Sequence, residues 1–148
     1  MVTTTSSTQY AASQPAYTHG YAGNKKTVYA TAAVASTIAT NDVINMFYLP
    51  AGARVTGGRL KCTDVDTNVS PAVTWDVGDS GSATRYWSAS TAGQSAAVDA
   101  TMAIAGVFYK NTVKTAVIIT CHLQPATGAA GTIELGIDYI DEDAATSG

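Results

Sequence analysis

The residue whose neighbours best suit covalent chemistry is Ser80, within the tetrapeptide Gly-Asp-Ser-Gly at residues 78–81. A similar tetrapeptide surrounds the nucleophile in one large class of serine proteases, where a histidine base and an orienting acid are also required. The two histidines, His19 and His122, lack the sequence context of that chemistry, and Ser82 stands where a second glycine is expected. Gly and Asp both suit a tight turn between strands. We therefore predict a hairpin turn at residues 78–81 and no catalytic residues.

Cation binding is the second chemistry that the sequence could support. Carboxylates that could gather at one end of a β-sandwich and hold Ca²⁺ are Asp64, Asp66, Asp76 and Asp79. Their spacing does not match the 12-residue loop of an EF-hand or another ligand pattern. We predict that they are ordinary loop and turn carboxylates and that the chain has no metal site.

The two cysteines, Cys62 and Cys121, each lie in a strand-like run. A pair of buried thiols is the favoured interpretation, and a disulfide between two core strands stays open as the alternative. Two thiolates without nearby ligand histidines do not make a zinc site. Because the chain also lacks a glycine-rich phosphate loop and a histidine cluster, no cofactor is expected.

Charge and hydropathy exclude two kinds of partner. Charged residues make up 13% of the 148 residues, and the net charge is −3. The basic residues are scattered, whereas nucleic-acid binding requires clustered Lys and Arg. No run reaches the roughly 18 to 20 apolar residues that span a bilayer, and the start of the chain does not resemble a secretory signal. We expect no nucleic-acid partner, no membrane segment and synthesis in a cytoplasm.

The first 24 residues contain no Asp, Glu, Lys or Arg, and they carry three spaced tyrosines, Tyr10, Tyr17 and Tyr21. Such a segment cannot bury enough apolar area to offset the entropy that it would lose by folding alone. Tyrosines can nevertheless anchor it to a partner. We predict an extended N-terminal arm over residues 1–26 that ends at Lys25 and Lys26, with its tyrosines and lysines as contact residues.

After the arm, the hydrophobic pattern has a period near two, which is typical of half-buried strands. Residues 95–109 are ambiguous between a short helix and a strand, with a strand favoured beyond Asp99. The other predicted strands are 27–35, 43–49, 54–64, 72–77, 83–89, 113–123 and 132–140. Short strands at this spacing favour a single all-β, jelly-roll-like sandwich over residues 27–141. An acidic, solvated tail is expected over residues 142–148.

Aromatic residues indicate which strands face inward. Trp75 lies on an alternating inward face and is predicted to be in the core. Tyr86 and Trp87 are adjacent, so they should point to opposite faces of one strand and one of them should be exposed.

The run at 43–49 is apolar on both faces, and it includes Met46, Phe47 and Tyr48. It is either covered on both sides or lies at a subunit interface. We therefore take these three residues as candidate contacts with a partner.

Three stretches have a familiar order: Ala-Val-Thr-Trp-Asp-Val-Gly-Asp-Ser-Gly at 72–81, Thr-Arg-Tyr-Trp at 84–87 and Gly-Thr-Ile-Glu-Leu-Gly-Ile-Asp-Tyr-Ile at 131–140. Together they resemble the decoration, or cement, proteins and related small head proteins of tailed bacteriophages. The resemblance implies a jelly-roll-like virion protein that binds the major capsid protein on the outer capsid surface and clamps neighbouring capsomers. It also implies a homo-oligomer, with dimer and trimer both open, whose terminal arm reaches along the shell or over a sister subunit.

A carbohydrate- or receptor-binding β-sandwich of a phage fibre or cell surface is the alternative. It would use an exposed Tyr86 or Trp87, with a bound Ca²⁺ as an option. An enzyme that uses Ser80 comes third, because its histidine base is missing from the expected context.

Overall fold

A computed structural model describes residues 3–6 and 25–142, and these residues form an all-β fold, as predicted. A single 3₁₀ turn in these ranges spans Ala92–Gln94. The strands within the described residues are β1 Thr4–Ser6, β2 Lys25–Val34, β3 Val43–Leu49, β4 Ala53–Cys62, β5 Thr74–Asp79, β6 Ser82–Ser90, β7 Val98–Asp99, β8 Thr115–Leu123 and β9 Gly131–Asp141. No helix in these ranges is long and apolar enough to cross a membrane.

Two sheets make a sandwich. One sheet has the strand order β1-β3-β8-β5-β6, and the other has the order β2-β9-β4-β7. All neighbouring strands are antiparallel except β1, which pairs with β3 in parallel. Without β1, each sheet has four strands, and their order is consistent with the predicted jelly roll.

Alternating side chains fill the space between the sheets. On β9 the inward residues are buried at every second position, from Ile133 to Tyr139, and β2 shows the same pattern from Val28 to Val34. Trp75 is fully buried, as predicted. The core therefore follows directly from the period-two pattern of the sequence.

The first residues of the predicted arm are part of the sandwich. Thr4 pairs with Val43 and Ser6 with Asn45, so Thr4–Ser6 adds an edge strand to the chain's own sheet. This differs from the expectation that residues 1–26 depend wholly on a partner. The sheet also begins two residues earlier than predicted, because Lys25 and Lys26 pair with β9 as part of β2.

Residues 95–109 contain less strand than predicted. The strand β7 spans only Val98–Asp99, and loop 100–114, which follows it, does not continue as a strand beyond Asp99. The loop's amides bond to neighbouring strands at single points instead, such as Ala103 N–H to the carbonyl of Tyr86. Its sequence lacks the alternation of apolar and polar residues that would support a ladder.

Tyr86 and Trp87 are both buried, so the prediction that one of them is exposed was wrong. Trp87 lies close to Gly58 of the opposite sheet, where an added Cβ would come within 3.0 Å of the indole. Tyr86 is covered by loop 100–114, and its ring meets Tyr109 edge-on at 6.5 Å between centroids. A loop that covers the outer face of a strand leaves no alternation signal in that strand.

The run at 43–49 is covered on both sides by the protein itself where it is most apolar. Met46 and Phe47 are both fully buried, although adjacent strand residues normally face opposite ways. A break in the β3–β8 register between Asn45 and Phe47 explains this, because a bulge lets two neighbours turn toward the core. Tyr48 stays partly exposed, as do Val43 and Asn45.

The other local predictions agree with the structure. The hairpin turn between β5 and β6 consists of residues 80–81, and Gly78 and Asp79 are the last residues of β5. The Asp79 carboxylate accepts the backbone N–H groups of Gly81 and Ser82 and so fixes the turn. Cys62 and Cys121 are free, buried thiols rather than a disulfide. Burial raises the pKa of both thiols to about 12.

Candidate binding surface

The antiparallel strands bring the loops together at two opposite ends of the sandwich. Loops 35–42, 63–73, 91–97 and 124–130 meet at one end, which we call the carboxylate end because Asp42 and Asp66 organise it. The turns 50–52 and 80–81, the second half of loop 100–114 and the end of β9 meet at the other end. The first half of that loop runs alongside β6 toward this end, with Ala103 N–H bonded to the carbonyl of Tyr86. We call this second one the apolar end.

The apolar end carries a concentration of exposed large apolar side chains. Among the described residues, eight large hydrophobic side chains are exposed, and four of them belong to loop 100–114. Ile104 is 93% exposed and Phe108 is 65% exposed. Scattered single apolar residues are normal on a protein surface, whereas a cluster marks an interaction surface. The four residues, which we call the apolar surface, are Ile104, Val107, Phe108 and Val113.

Loop 100–114 is firmly attached to the sandwich by its backbone. Phe108 N–H bonds to the carbonyl of Val55 at 2.9 Å, and Val55 N–H bonds in return to Tyr109 at 2.9 Å. A little further on, Asn111 N–H donates to the carbonyl of Ala53 at 2.7 Å. The exposed side chains are therefore presented by a backbone tied to β4, which lowers the entropy lost when they bind a partner.

A buried asparagine completes the anchor. The Asn111 side chain is almost fully buried, and the carbonyls of Leu49, Pro50 and Val113 all lie within hydrogen-bond distance of Nδ2, whose two N–H groups are shared among them. These carbonyls belong to the end of β3, the turn that follows it and loop 100–114. One side chain thus joins the three segments of the apolar end.

Charged groups hold the same loop from its outer side. Arg54 donates to the carbonyl of Phe108 at 2.7 Å and forms a two-point ion pair with Glu142. Lys110 adds a second cation 3.5 Å from Glu142. The hydrogen bond from Arg54 lowers the pKa of the Glu142 carboxyl below its usual range. Glu142 is therefore part of the folded domain rather than of the solvated tail that was predicted to begin there.

Phe108 has a left-handed backbone conformation, with a φ of 60°. For a bulky residue other than glycine this conformation is strained. Its backbone N–H and carbonyl are both hydrogen-bonded, to Val55 and Arg54, and these bonds hold it there. Strain that the surroundings enforce at an exposed aromatic residue is typical of a functional position.

The predicted contact residues divide into four groups. Tyr10, Tyr17 and Tyr21 lie outside the described residues. Met46 and Phe47 are buried in the chain's own core, so they cannot contact a partner while the domain is folded.

Lys25 and Lys26 lie on β2 rather than on an arm, and both are already in ion pairs. Lys25 lies 2.9 Å from Asp138, and Lys26 lies 3.7 Å from Asp141. Tyr48 is half-buried near the apolar end, with the Lys114 ammonium 4.6 Å from its ring centroid. Tyr48 therefore contacts Lys114, the residue that follows Val113 in the chain.

The groups considered for catalysis do not come together in the part of the chain that the structure describes. His122 Nδ1 lies 2.8 Å from Asp76 on the neighbouring strand, and Ser80 is in the hairpin turn. His19 lies outside the described residues. Over residues 3–6 and 25–142, no three His, Cys, Asp or Glu side chains form a group that could hold a metal ion.

Comparison with known proteins gives matches among solved structures. No protein-family model and no curated protein matches the chain. A chain in the cyanophage Pam1 capsid asymmetric unit is 42% identical to it, covering 84% of this chain and 90% of that one, with a TM-score of 0.73. The chain belongs to a family of phage capsid proteins.

Two other capsid structures contain similar chains. One, in the capsid of Ralstonia phage GP4, has a TM-score of 0.80 and 26% identity over 93% of this chain and 97% of that chain. The other, in the acid-stable capsid of Helicobacter pylori bacteriophage KHP30, has a TM-score of 0.52 and 18% identity over 80% and 94%. The last likeness shows the fold alone. The first two chains come from capsids at 42% and 26% identity, which supports a structural, virion role for this family.

Sequence reasoning did not identify the apolar surface of this capsid protein, although one signal was present. Residues 102–109 read Met-Ala-Ile-Ala-Gly-Val-Phe-Tyr, a strongly apolar run. It contains Gly106, whose position leaves no room for a Cβ beside the carbonyl of Arg85 and the ring of Tyr86. An apolar run with neither strand nor helix period is compatible with a loop packed against the domain, but the same run also fits a buried strand or helix.

Proposed function

We propose that the protein is a decoration protein, which binds the outer surface of a phage capsid and cements neighbouring capsomers. The observation that carries the proposal is the apolar surface on an anchored loop, in a chain of a capsid family. The partner is the major capsid protein, together with other copies of this chain. The protein is synthesised in the host cytoplasm and resides in the virion.

The physical properties of the apolar surface favour a protein partner. Binding energy concentrates in a few apolar or aromatic anchors that are buried at the centre of an interface. Phe108 and Ile104 are such anchors, since most of each side chain is exposed while the backbone around them is fixed. Their burial against another protein would remove apolar area from water without ordering the loop.

A specific interface buries about 1,000 Å² or more in total, which four side chains alone do not supply. In our proposal the N-terminal segment adds the remaining area through Tyr10, Tyr17 and Tyr21, and Tyr48 extends the apolar surface along β3. Many copies on one shell then add their separate affinities through avidity. Lys25 and Lys26 contribute only if they exchange their present ion pairs for a partner's carboxylates.

The carbohydrate-binding alternative loses the observation on which it depended. It required Tyr86 or Trp87 as an exposed stacking platform, and both residues are buried. The enzyme reading likewise has no histidine base beside Ser80 among the described residues. Cementing is the function that uses the exposed groups this chain has.

Binding to capsids that lack this protein tests the proposal. We expect the double variant Ile104→Ser and Phe108→Ser to bind at least tenfold more weakly than the unaltered chain, because it removes the two most exposed anchors. The matched control is Val69→Ser and Val98→Ser, which removes two exposed apolar side chains elsewhere. Thermal unfolding is measured for both variants to check that they are folded. Equal binding by the two double variants would contradict the role of the apolar surface, and no binding by the unaltered chain would contradict the proposed function.

A further inference from the structure

The strand β1 is attached to the sandwich in an unusual way. It has three residues, lies at a sheet edge and is parallel to β3, whereas all the other described pairings are antiparallel. Thr4 is exposed and Thr5 is only partly covered, so backbone hydrogen bonds rather than buried side chains hold it. Thr3 accepts from Val43 N–H at 2.9 Å and donates to Asp42 at 2.7 Å. Such a strand is weakly held, because little apolar burial offsets the entropy lost on ordering it.

The position that β1 occupies is built by other parts of the chain. Asp42 is 3% exposed, and its second carboxylate oxygen accepts from Ala39 N–H at 2.9 Å. Its backbone is fixed as well, because its carbonyl accepts from Cys121 N–H at 2.9 Å. The first carboxylate oxygen faces the incoming strand, where it takes Thr3 N–H. The Asp42 carboxylate and the edge of β3 can therefore bind a strand that comes from the same chain or from another copy.

The connection from β1 to β2 is long enough to reach another molecule. Eighteen residues, 7–24, separate Ser6 from Lys25, and none of them is charged. Connections in compact domains usually have two to six residues. Eighteen residues can span roughly 60 Å at about 3.3–3.6 Å per residue. This length exceeds what is needed to join two adjacent edges of one small sandwich, and it permits a neighbour's edge to be reached.

We propose that, on the assembled capsid, residues 3–6 of one copy occupy the place beside β3 of a neighbouring copy. The inference rests on the proposed function, because it needs copies fixed side by side on a shell. Exchange of an identical element costs little, since the bonds lost in one copy are regained in the next. Each copy gives and receives one strand, so the exchange links copies without any new contact type. The alternative occupant, the chain's own strand, is the other outcome of the test.

Site-directed cross-linking distinguishes the two occupants. One chain carries Thr4→Cys, a second chain of different mass carries Val43→Cys, and the two are coexpressed and bound to capsids. These positions are Cα partners in the β1–β3 register. We expect a short bifunctional maleimide to produce a covalent product containing both chains. The native thiols, Cys62 and Cys121, are buried and do not react in the folded protein.

Three controls define the outcome. Each single variant alone measures cross-linking that does not depend on the β1–β3 pairing. The pair Thr4→Cys and Val98→Cys measures non-specific cross-linking between chains, because Val98 lies on β7 of the other sheet. A second pair, Ser6→Cys with Asn45→Cys, repeats the test at another point in the register. A chain that carries both substitutions of one pair measures cross-linking within a single chain. Capsid binding is measured separately for every variant.

Cross-links between chains at either pair, well above the Val98 control, are the expected result. If capsid binding is normal but cross-links form only within single chains, or form at neither cysteine pair, the proposed exchange is wrong. Loss of capsid binding by the unaltered chain would instead refute the proposed function. The two failures are therefore distinguishable.

Discussion

The two ends of the sandwich are both fixed by a buried polar side chain, but the chemistry at the two ends is opposite. At the carboxylate end, Asp66 is 1% exposed and accepts hydrogen bonds from two different loops. The donors are the backbone N–H groups of Asn68, Ala72, Val73, Ala126 and Thr127. At the apolar end, the neutral side chain of Asn111 shares its two N–H groups among three carbonyls.

This difference matches what each end leaves exposed. The loops at the carboxylate end direct their amides inward to Asp66, and the exposed large apolar residues near this end, Val69, Val98 and Leu123, belong to three separate segments. The apolar end directs carbonyls inward to Asn111 and leaves four large apolar side chains outside. A buried polar group fixes loops equally well as donor or acceptor. The outward-facing residues, rather than the anchor, therefore decide which end can bind.

The comparison predicts that the largest loss of stability comes from the carboxylate end. Asp66→Asn replaces a charged acceptor by an amide whose NH₂ faces backbone N–H groups. We expect the free energy of unfolding to fall by about 3 kcal/mol or more, because several buried amides lose a charge-assisted bond. Chemical denaturation measures this change.

Asp64→Asn is the matched control for Asp66→Asn. Asp64 is exposed and accepts one bond, from Asp66 N–H at 3.2 Å. Its substitution should change the free energy of unfolding by well under about 1 kcal/mol. Equal effects of the two substitutions would contradict the assignment of Asp66 as the organiser of this end.

The pH dependence of stability tests the role of the Asp66 carboxylate by protonating it instead of replacing it. Burial alone would raise the pKa of Asp66, but hydrogen bonds from Ala72, Thr127, Val73 and Ala126 lower it to about 2. Since the unfolded value is about 3.9, the stabilisation is complete above roughly pH 4 and is lost as the pH falls toward 2. The gap in melting temperature between the unaltered chain and Asp66→Asn should therefore narrow from pH 4 to pH 2. A constant gap over that range would refute this prediction.

The apolar end should show a smaller loss of stability together with a loss of binding. Asn111→Ala removes this shared donor from the carbonyls of Leu49, Pro50 and Val113, and we expect about 2 kcal/mol less stability. Pro50 keeps Ala53 N–H and Val113 keeps the Thr115 hydroxyl as donors, so the loss should be smaller than at Asp66. Loop 100–114 also loses one of its anchors, so capsid binding should weaken beyond what the stability change explains. Asp66→Asn, at the opposite end, should not weaken binding at temperatures where it is folded. If Asn111→Ala binds capsids normally, the loop does not need this anchor.

The sequence predicts the sandwich well because alternation is a local signal. On β9, each inward residue of the strand is followed by an outward one, and this pattern identifies both the strand and its buried face. The failures occur where a second segment covers a strand or where a ladder is interrupted. Tyr86 is hidden by loop 100–114, and Phe47 is turned inward by a bulge, and neither event is encoded in the residues of the strand itself.

The apolar surface could not be predicted for a related reason. Exposure of Ile104 and Phe108 depends on where the loop meets β4, which is a contact between residues some 50 positions apart. A short apolar run is compatible with a buried strand, a buried helix or an exposed loop, and periodicity alone does not separate them. Asn111 similarly gives no sign in the sequence that its amide will join three segments.

The smallest expected effect separates backbone strain from side-chain contact at Phe108. Asn tolerates a positive φ better than most residues, whereas Ala retains a Cβ penalty without the aromatic ring. Because Phe108 is largely exposed, Phe108→Asn should leave stability unchanged or raise it by up to about 1 kcal/mol, and Phe108→Ala should be less stable than Phe108→Asn. Both variants should bind capsids equally weakly, because both lack the ring. Thermal unfolding and capsid binding on the same three proteins measure the two quantities. If capsid affinity instead rises and falls with the free energy of unfolding across the three proteins, Phe108 affects binding only by stabilising the fold. The two ends would then differ only in that Asn111 donates hydrogen bonds and Asp66 accepts them.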